Sequence, residues 1–200
     1  MSYTINNMKK SIARITGDGM LLAIYIVLST LTVKITPNLQ ITFTGLAIIM
    51  ASVLYGFTDS LLIALLGSFI AQLRSPYGLT ITTPIWMIPP ILRAAAFGLT
   101  YELFLKKGIK LEEKKLLFIV FTVAAGLITT IANTGAIFLD AYIFGYPVAM
   151  AIIESVFRFV SSIASSILIA LISLPIIYAL KGAGLLHSRT KEDISAKTDN

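Results

Sequence analysis

Charge is what this 200-residue chain has least of: Asp, Glu, Lys and Arg together make up 13% of it. A soluble domain keeps roughly a quarter of its residues charged to cover its surface. With hydrophobic residues at 56%, the surface has to be covered by lipid. Cysteine is absent, which excludes disulfides and thiolate metal sites. The single histidine, His187, lies in a polar tail, so no His-based zinc site or His-dependent triad can be built among the apolar segments. Walker A and Gly-x-Ser-x-Gly sequences are also missing, so the chain does not hydrolyse ATP through a P-loop of its own. Internal repeats and low-complexity segments are lacking as well, and one domain is the default.

What the chain does have is apolar runs. They predict an all-α integral membrane bundle of six transmembrane helices, at about 19–33, 41–55, 59–73, 84–105, 116–138 and 148–180. Residues 1–18 form an N-terminal segment, 19–180 the bundle, and 181–200 a polar tail. No small-residue cleavage site follows the first run, so it reads as a retained helix rather than a signal peptide. Thr58 or Asp59 is a candidate cap for the third span. The fourth starts near Pro84 or restarts at Pro89-Pro90. Spans two and three have only about 15 residues where about 20 cross a bilayer, which leaves open a re-entrant hairpin in their place.

The net charge of +6 raises nucleic acid as a partner, but the positions of the charges argue against it. Lys9, Lys10 and Arg14 precede the first span, and Lys106, Lys107, Lys110, Lys114 and Lys115 lie between the fourth and fifth. Lys181, Arg189, Lys191 and Lys197 follow the sixth. These are 12 of the 16 basic residues, and alternating spans put them all on one side. The bias of Lys and Arg toward cytoplasmic loops makes that side, with both termini, the inner one.

Charged groups within spans normally face the protein interior or a cavity. Arg93 lies about 13 Å below the outer end of the fourth span, counted from Pro84. If the helix restarts at Pro89-Pro90, Arg93 falls in its first turn, where free N–H groups favour an anion. The alternative is an arginine that bridges helices. Glu154 and Arg158 are four residues apart and share a helix face, as an internal pair or with Arg158 turned to a ligand. The amide of Asn133 suits either a ligand with hydroxyl and amide groups or a neighbouring helix. Tyr77, Trp86, Tyr142 and Tyr146 fall at the outer interface, as an aromatic belt or as walls of a pocket. Asp140 reads as solvated in the outer loop. Arg93, Asn133 and Arg158 come from three spans yet share one depth, and two arginines favour a carboxylate or phosphate. On the first span, Gly19 and Ala23 are four apart, a small-residue spacing that admits a close helix.

Six spans, inner termini, the Gly19/Ala23 face and the stretch Thr83-Pro84-Ile85-Trp86-Met87-Ile88-Pro89-Pro90-Ile91-Leu92-Arg93 resemble the substrate-binding S component of energy-coupling factor (ECF) vitamin transporters. The last stretch looks like the start of helix four in the pantothenate branch. The resemblance implies a multi-pass cell-membrane protein that is not an enzyme. It would capture a small anionic vitamin, at best pantothenate, from outside, with loops one, three and five closing over it. Arg93, Asn133, Arg158, Trp86, Tyr77 and Tyr142 would contact substrate. Gly19 and Ala23, where the family typically carries alanines, would dock on a transmembrane coupling subunit. Two partner ATPases would use the ATP, and the chain itself would hold no cofactor. Rival readings are another vitamin, such as folate or pyridoxine, and a self-sufficient secondary carrier with Glu154 as its coupling residue.

Overall fold

The computed structural model describes residues 2–31, 33–34, 40–75, 78–145 and 148–183. Among them are six α-helices: α1 (Ser2–Thr30), α2 (Gly45–Leu54), α3 (Phe57–Leu73), α4 (Thr83–Lys106), α5 (Lys115–Phe144) and α6 (Val148–Gly182). A two-residue antiparallel ladder between α1 and α2, β1 (Val33–Lys34) with β2 (Gln40–Ile41), pairs Val33 with Ile41 and Lys34 with Gln40. A short 3-10 turn, Leu111–Glu113, precedes α5. By length and composition, α4, α5 and the Ser155–Gly182 part of α6 are sufficient to cross a membrane.

Helix α2 occupies the centre of the bundle, with Ala47, Ile48, Ile49 and Ala51 at most 1% exposed. It packs against α1, α3, α4 and α6, so spans two and three are separate elements of the core. The close approaches use small residues, as expected where apolar burial gives no net drive between helices in lipid. A Cβ at Gly67 would lie 2.5 Å from the Tyr25 ring, and one at Gly126 would lie 2.0 Å from Ser166 Oγ. Between α4 and α5, the Phe97 and Phe118 rings meet edge to face at 5.5 Å, a favoured aromatic geometry.

Four expectations from the sequence are corrected. Helix α1 begins at Ser2, so the basic N-terminal segment is helical. Its Arg14 makes a two-point contact with Asp59, Nε–Oδ2 at 2.7 Å and Nη2–Oδ1 at 2.6 Å, which ties that extension to the first turn of α3. Asp59 is therefore not a cap: the N-cap of α3 is Gly56 and makes no side-chain bond. The proline pair does not restart α4, which runs on through Pro89 and Pro90. Finally, α5 extends to Phe144, so Asp140 lies within a helix, half-buried, with its Oδ1 shielded from solvent.

One end of the bundle is held by polar ties. The Phe57 N–H donates to Glu102 Oε1 at 3.1 Å. Buried Glu112 accepts from the Tyr101 hydroxyl at 3.0 Å and from Lys181 Nζ at 2.5 Å, while its carbonyl accepts from the Tyr178 hydroxyl at 2.5 Å. The start of α1, the α2–α3 turn, the Lys-rich α4–α5 loop and the end of α6 are therefore all at this end. Side-chain exposure is 24% for Lys181 and 2% for Glu112. Removing one partner of such a pair strands the other. We expect Glu112→Leu to lower stability by about 2–4 kcal/mol, the range for a broken buried pair reduced for the residual exposure of Lys181. The double variant Glu112→Leu/Lys181→Leu should recover part of that loss. Thermal unfolding in detergent checks this, and equal midpoints for the single and double variants would show that the pair does not tie the α4–α5 loop to α6.

Candidate functional site

The opposite end is built differently, and the reason lies in helix lengths. Ten residues of α2 rise about 15 Å, half of the roughly 30 Å hydrocarbon layer. The core position that α2 fills is therefore left without a helix above Gly45. That region is bordered by α1, α4, α5 and α6, and the β1–β2 hairpin leads down into it, with β2 against α6.

Arg93 sits at the bottom of this region. Its Nε donates to Thr129 Oγ1 of α5 at 3.1 Å. Its Nη1 lies so close to the first residue of α2 that a Cβ at Gly45 would be 2.0 Å from it. Buried Tyr25 lies beside it, and the Thr44 hydroxyl is 3.4 Å from that of Thr42. Among the described residues no carboxylate pairs with Arg93. The anion site expected at the start of α4 is not formed, because the helix begins at Thr83. The helix N-terminus that meets Arg93 is that of α2.

The other residues singled out from sequence separate into groups. Asn133 is half-buried on α5, one turn outward of Thr129. The Ser162 hydroxyl of α6 donates to the Gly126 carbonyl of α5 at 3.1 Å. With that register and the Arg93–Thr129 bond, antiparallel packing sets Arg158 within about one turn of Arg93 and Asn133 in depth. Arg158 is half-buried, with its Nε shielded, and is engaged in a polar interaction. Trp86 is half-buried two turns outward of Arg93 on the same face of α4, opposite the exposed stripe of Pro84, Ile88, Leu92 and Leu99. Tyr142 is 87% exposed and is not brought together with them. Tyr77, Tyr146, His187 and the side chain of Glu154 lie outside the described residues. Gly19 and Ala23 are exposed on α1, and a Cβ at Gly19 would have nothing within 4 Å. They do not pack inside the bundle.

Four features were not singled out from the sequence. Tyr25 and Thr129 complete the surroundings of Arg93. The Thr134 hydroxyl is buried with no hydrogen-bond partner among the described residues. The fourth follows from the proline pair. The Trp86 carbonyl would normally accept from the N–H three or four residues on, but those residues are Pro89 and Pro90, which have none. This acceptor is thus left without its helical donors, and lipid cannot satisfy it. Adjacent prolines after an aromatic residue are the signal that could have found it. The cavity of about 310 Å³ between α3 and α4, by contrast, is lined by Thr58, Leu61, Leu62, Leu65 and Ile91. Its walls are almost wholly apolar and Leu62 and Leu65 are exposed, as for a lipid-facing groove.

Comparison with known proteins accords with this architecture. The family of ECF-type riboflavin transporter S components matches residues 9–182. The fold is similar to that of the S component of a bacterial ECF transporter, with a TM-score of 0.60 and 22% identity over 84% of this chain and 97% of that one. It is also similar to the S component for biotin from an ECF-type ABC transporter, with a TM-score of 0.55 and 12% identity over 85% and 93%. No curated protein matches the sequence. Pantothenate finds no support in these matches. The chain belongs to the family of ECF-type riboflavin transporter S components, and is a multi-pass membrane transport subunit rather than an enzyme.

Proposed function

We propose that this chain binds riboflavin from the outer face of the membrane and delivers it through a coupling module driven by partner ATPases. The observation that carries this reading is the family match over residues 9–182. The shape of the outer half fits it. A central helix of ten residues leaves the bundle's axis without a helix above Gly45, and the borders carry a guanidinium, an amide, an indole, a hydroxyl and an unpaired carbonyl. A flavin has an extended apolar ring system with a polar edge and a polyhydroxylated chain. Such a molecule needs polar groups spread in depth rather than one anion site, so the two arginines do not require an anionic vitamin.

The Lys-rich end, with the start of α1 and the end of α6, is assigned to the cytoplasm by the excess of basic residues there. The opposite end then opens outward, with the β1–β2 hairpin as part of the cover. Gly19 and Ala23, together with exposed Met20 and Val27, form a face of α1 that no other helix among the described residues covers. We assign it to the coupling subunit.

Purified protein titrated with riboflavin should quench flavin fluorescence saturably at or below micromolar concentration, whereas pantothenate, biotin and folate should not compete. Absence of quenching would remove riboflavin as the ligand. Asn133→Leu should weaken flavin binding roughly tenfold, the effect of a lost buried hydrogen bond, and Tyr142→Ala should leave affinity within about twofold. An Asn133 variant with unchanged affinity takes that amide out of the site. Ala23→Trp should abolish uptake by the assembled transporter while flavin binding by the isolated subunit stays normal. Normal uptake would place the docking face elsewhere.

A further inference from the structure

The basic residues at the Lys-rich end are not all treated alike. Arg14 is taken up by Asp59 and Lys181 by Glu112, and Lys110 lies 4.0 Å from Glu113. Lys106, Lys107, Lys114 and Lys115 are all exposed, and none of them makes an ion pair among the described residues. Both acidic residues of the intervening loop, Glu112 and Glu113, are engaged elsewhere. The four lysines stand in pairs, one at the end of α4 and one at the start of α5, adjacent helices whose Phe104 and Phe121 rings meet at 5.1 Å. Immediately outward of them the surface is apolar and open. Leu99 and Leu103 on α4 and Leu116 and Val120 on α5 are between 46% and 75% exposed. On α4 the two leucines precede the lysines at intervals of about one helical turn, so they share a face with them. The bias of lysine toward the cytoplasm explains why lysines gather at this end. It does not explain why four of them share one corner without a described partner while Arg14, Lys110 and Lys181 are paired. Nor does the coupling subunit account for them. Its assigned face is on α1, which packs mainly against α2 and α3, whereas α5 packs against α4 and α6.

We infer that the inner α4–α5 corner binds an anionic phospholipid of the cytoplasmic leaflet, its phosphate held by the two lysine pairs and its acyl chains lying on the apolar residues outward of them. Such a lipid supplies both things the corner calls for: an anion fixed at headgroup depth and hydrocarbon directly beneath it. Lysine suits this boundary, because its stem covers apolar surface while its ammonium reaches the polar layer. A soluble anion would use the lysines and leave the apolar surface out of account. Attraction to an anionic leaflet is worth roughly a fivefold preference for each lysine near the surface. Two pairs therefore support about a tenfold preference for anionic over zwitterionic lipid even after salt screens much of the attraction.

The test reads lipid selectivity at the corner itself. The full-length protein, with Trp86→Phe so that a single indole reports, carries either Leu116→Trp at the corner or Ile131→Trp as a control. Ile131 is also exposed but lies about 22 Å further out along α5, in a stretch without basic residues. Each protein is reconstituted into vesicles of phosphatidylcholine and phosphatidylglycerol in which one of the two lipids has brominated chains. Quenching of the indole then gives the relative affinity of the two lipids beside it. Phosphatidylglycerol should be preferred about tenfold beside the Leu116→Trp reporter and less than about twofold beside the Ile131→Trp one. Adding Lys106→Gln/Lys107→Gln or Lys114→Gln/Lys115→Gln should lower the corner preference at least about threefold. The vesicles present the same lipids on both faces, so the readout does not depend on which way a variant inserts. Equal preferences at the two positions, or a corner preference that both glutamine variants leave unchanged, overturn the inference and leave the lysines as topology signals only. Loss of the preference on adding inorganic phosphate at constant ionic strength would identify a site for soluble anions and overturn the lipid assignment.

Discussion

In hydrocarbon an unsatisfied backbone group costs several kcal/mol, and a charged side chain in the middle of a bilayer is costlier still. Arg93 has to be accommodated under that constraint, and much of the bundle's centre is arranged around it. The guanidinium is held by one hydroxyl of α5 and pressed against the first residue of α2. A side chain at position 45 would push the guanidinium end of Arg93 from its place. The same contact defines how deep α2 begins. A helix extended outward by another turn would run through Arg93. The short central helix and the buried arginine are thus two sides of one packing decision.

The two ends of the bundle meet the constraint in opposite ways. At the Lys-rich end Arg14 pairs with Asp59, Glu112 with Lys181 and Tyr101, and Glu102 with the Phe57 N–H, while Asp18 Oδ1 is shielded without a hydrogen bond among the described residues. These ties join α1 to α3, α4 to α3, and the α4–α5 loop to α6, so that end behaves as a braced plate. At the other end Thr134 Oγ1 and Asp140 Oδ1 are shielded from solvent without a hydrogen bond among the described residues. Two prolines also remove the natural donors of the Trp86 carbonyl. Unpaired polar groups are tolerated at functional sites and avoided elsewhere.

Much of this arrangement is readable from residues alone, and the parts that are not share a cause. Six helices, their order and the shortness of α2 follow from hydrophobic runs and the turn residues between them. Their boundaries slipped where a tertiary contact extends an element. Arg14 needs Asp59, 45 residues away, to keep the start of α1 in place, and no local signal records that pairing. Arg93 stands out in any reading because a charge inside an apolar run is conspicuous. Its partners do not: Tyr25, Gly45 and Thr129 are unremarkable residues on three other helices, brought together by packing. The sequence leaves two starts open for α4, near Pro84 or Pro89; the helix begins at Thr83 and runs through the proline pair, which leaves the carbonyl of Trp86 without its helical donors.

Two arginines do not by themselves require an anionic ligand. A carboxylate bound to a desolvated guanidinium in a medium of low dielectric forms a pair that is hard to separate, yet a transport subunit has to release its cargo on the other side. A neutral carbonyl engages the same guanidinium through a charge-assisted hydrogen bond and leaves without separating full charges. For that ligand, Arg93 supplies orientation and selectivity while the apolar ring supplies most of the affinity, in proportion to the area it buries. Repacking the helices around the ring would then be enough to let it go. On this view an arginine with no carboxylate partner among the described residues is an acceptor-reading group suited to a neutral vitamin.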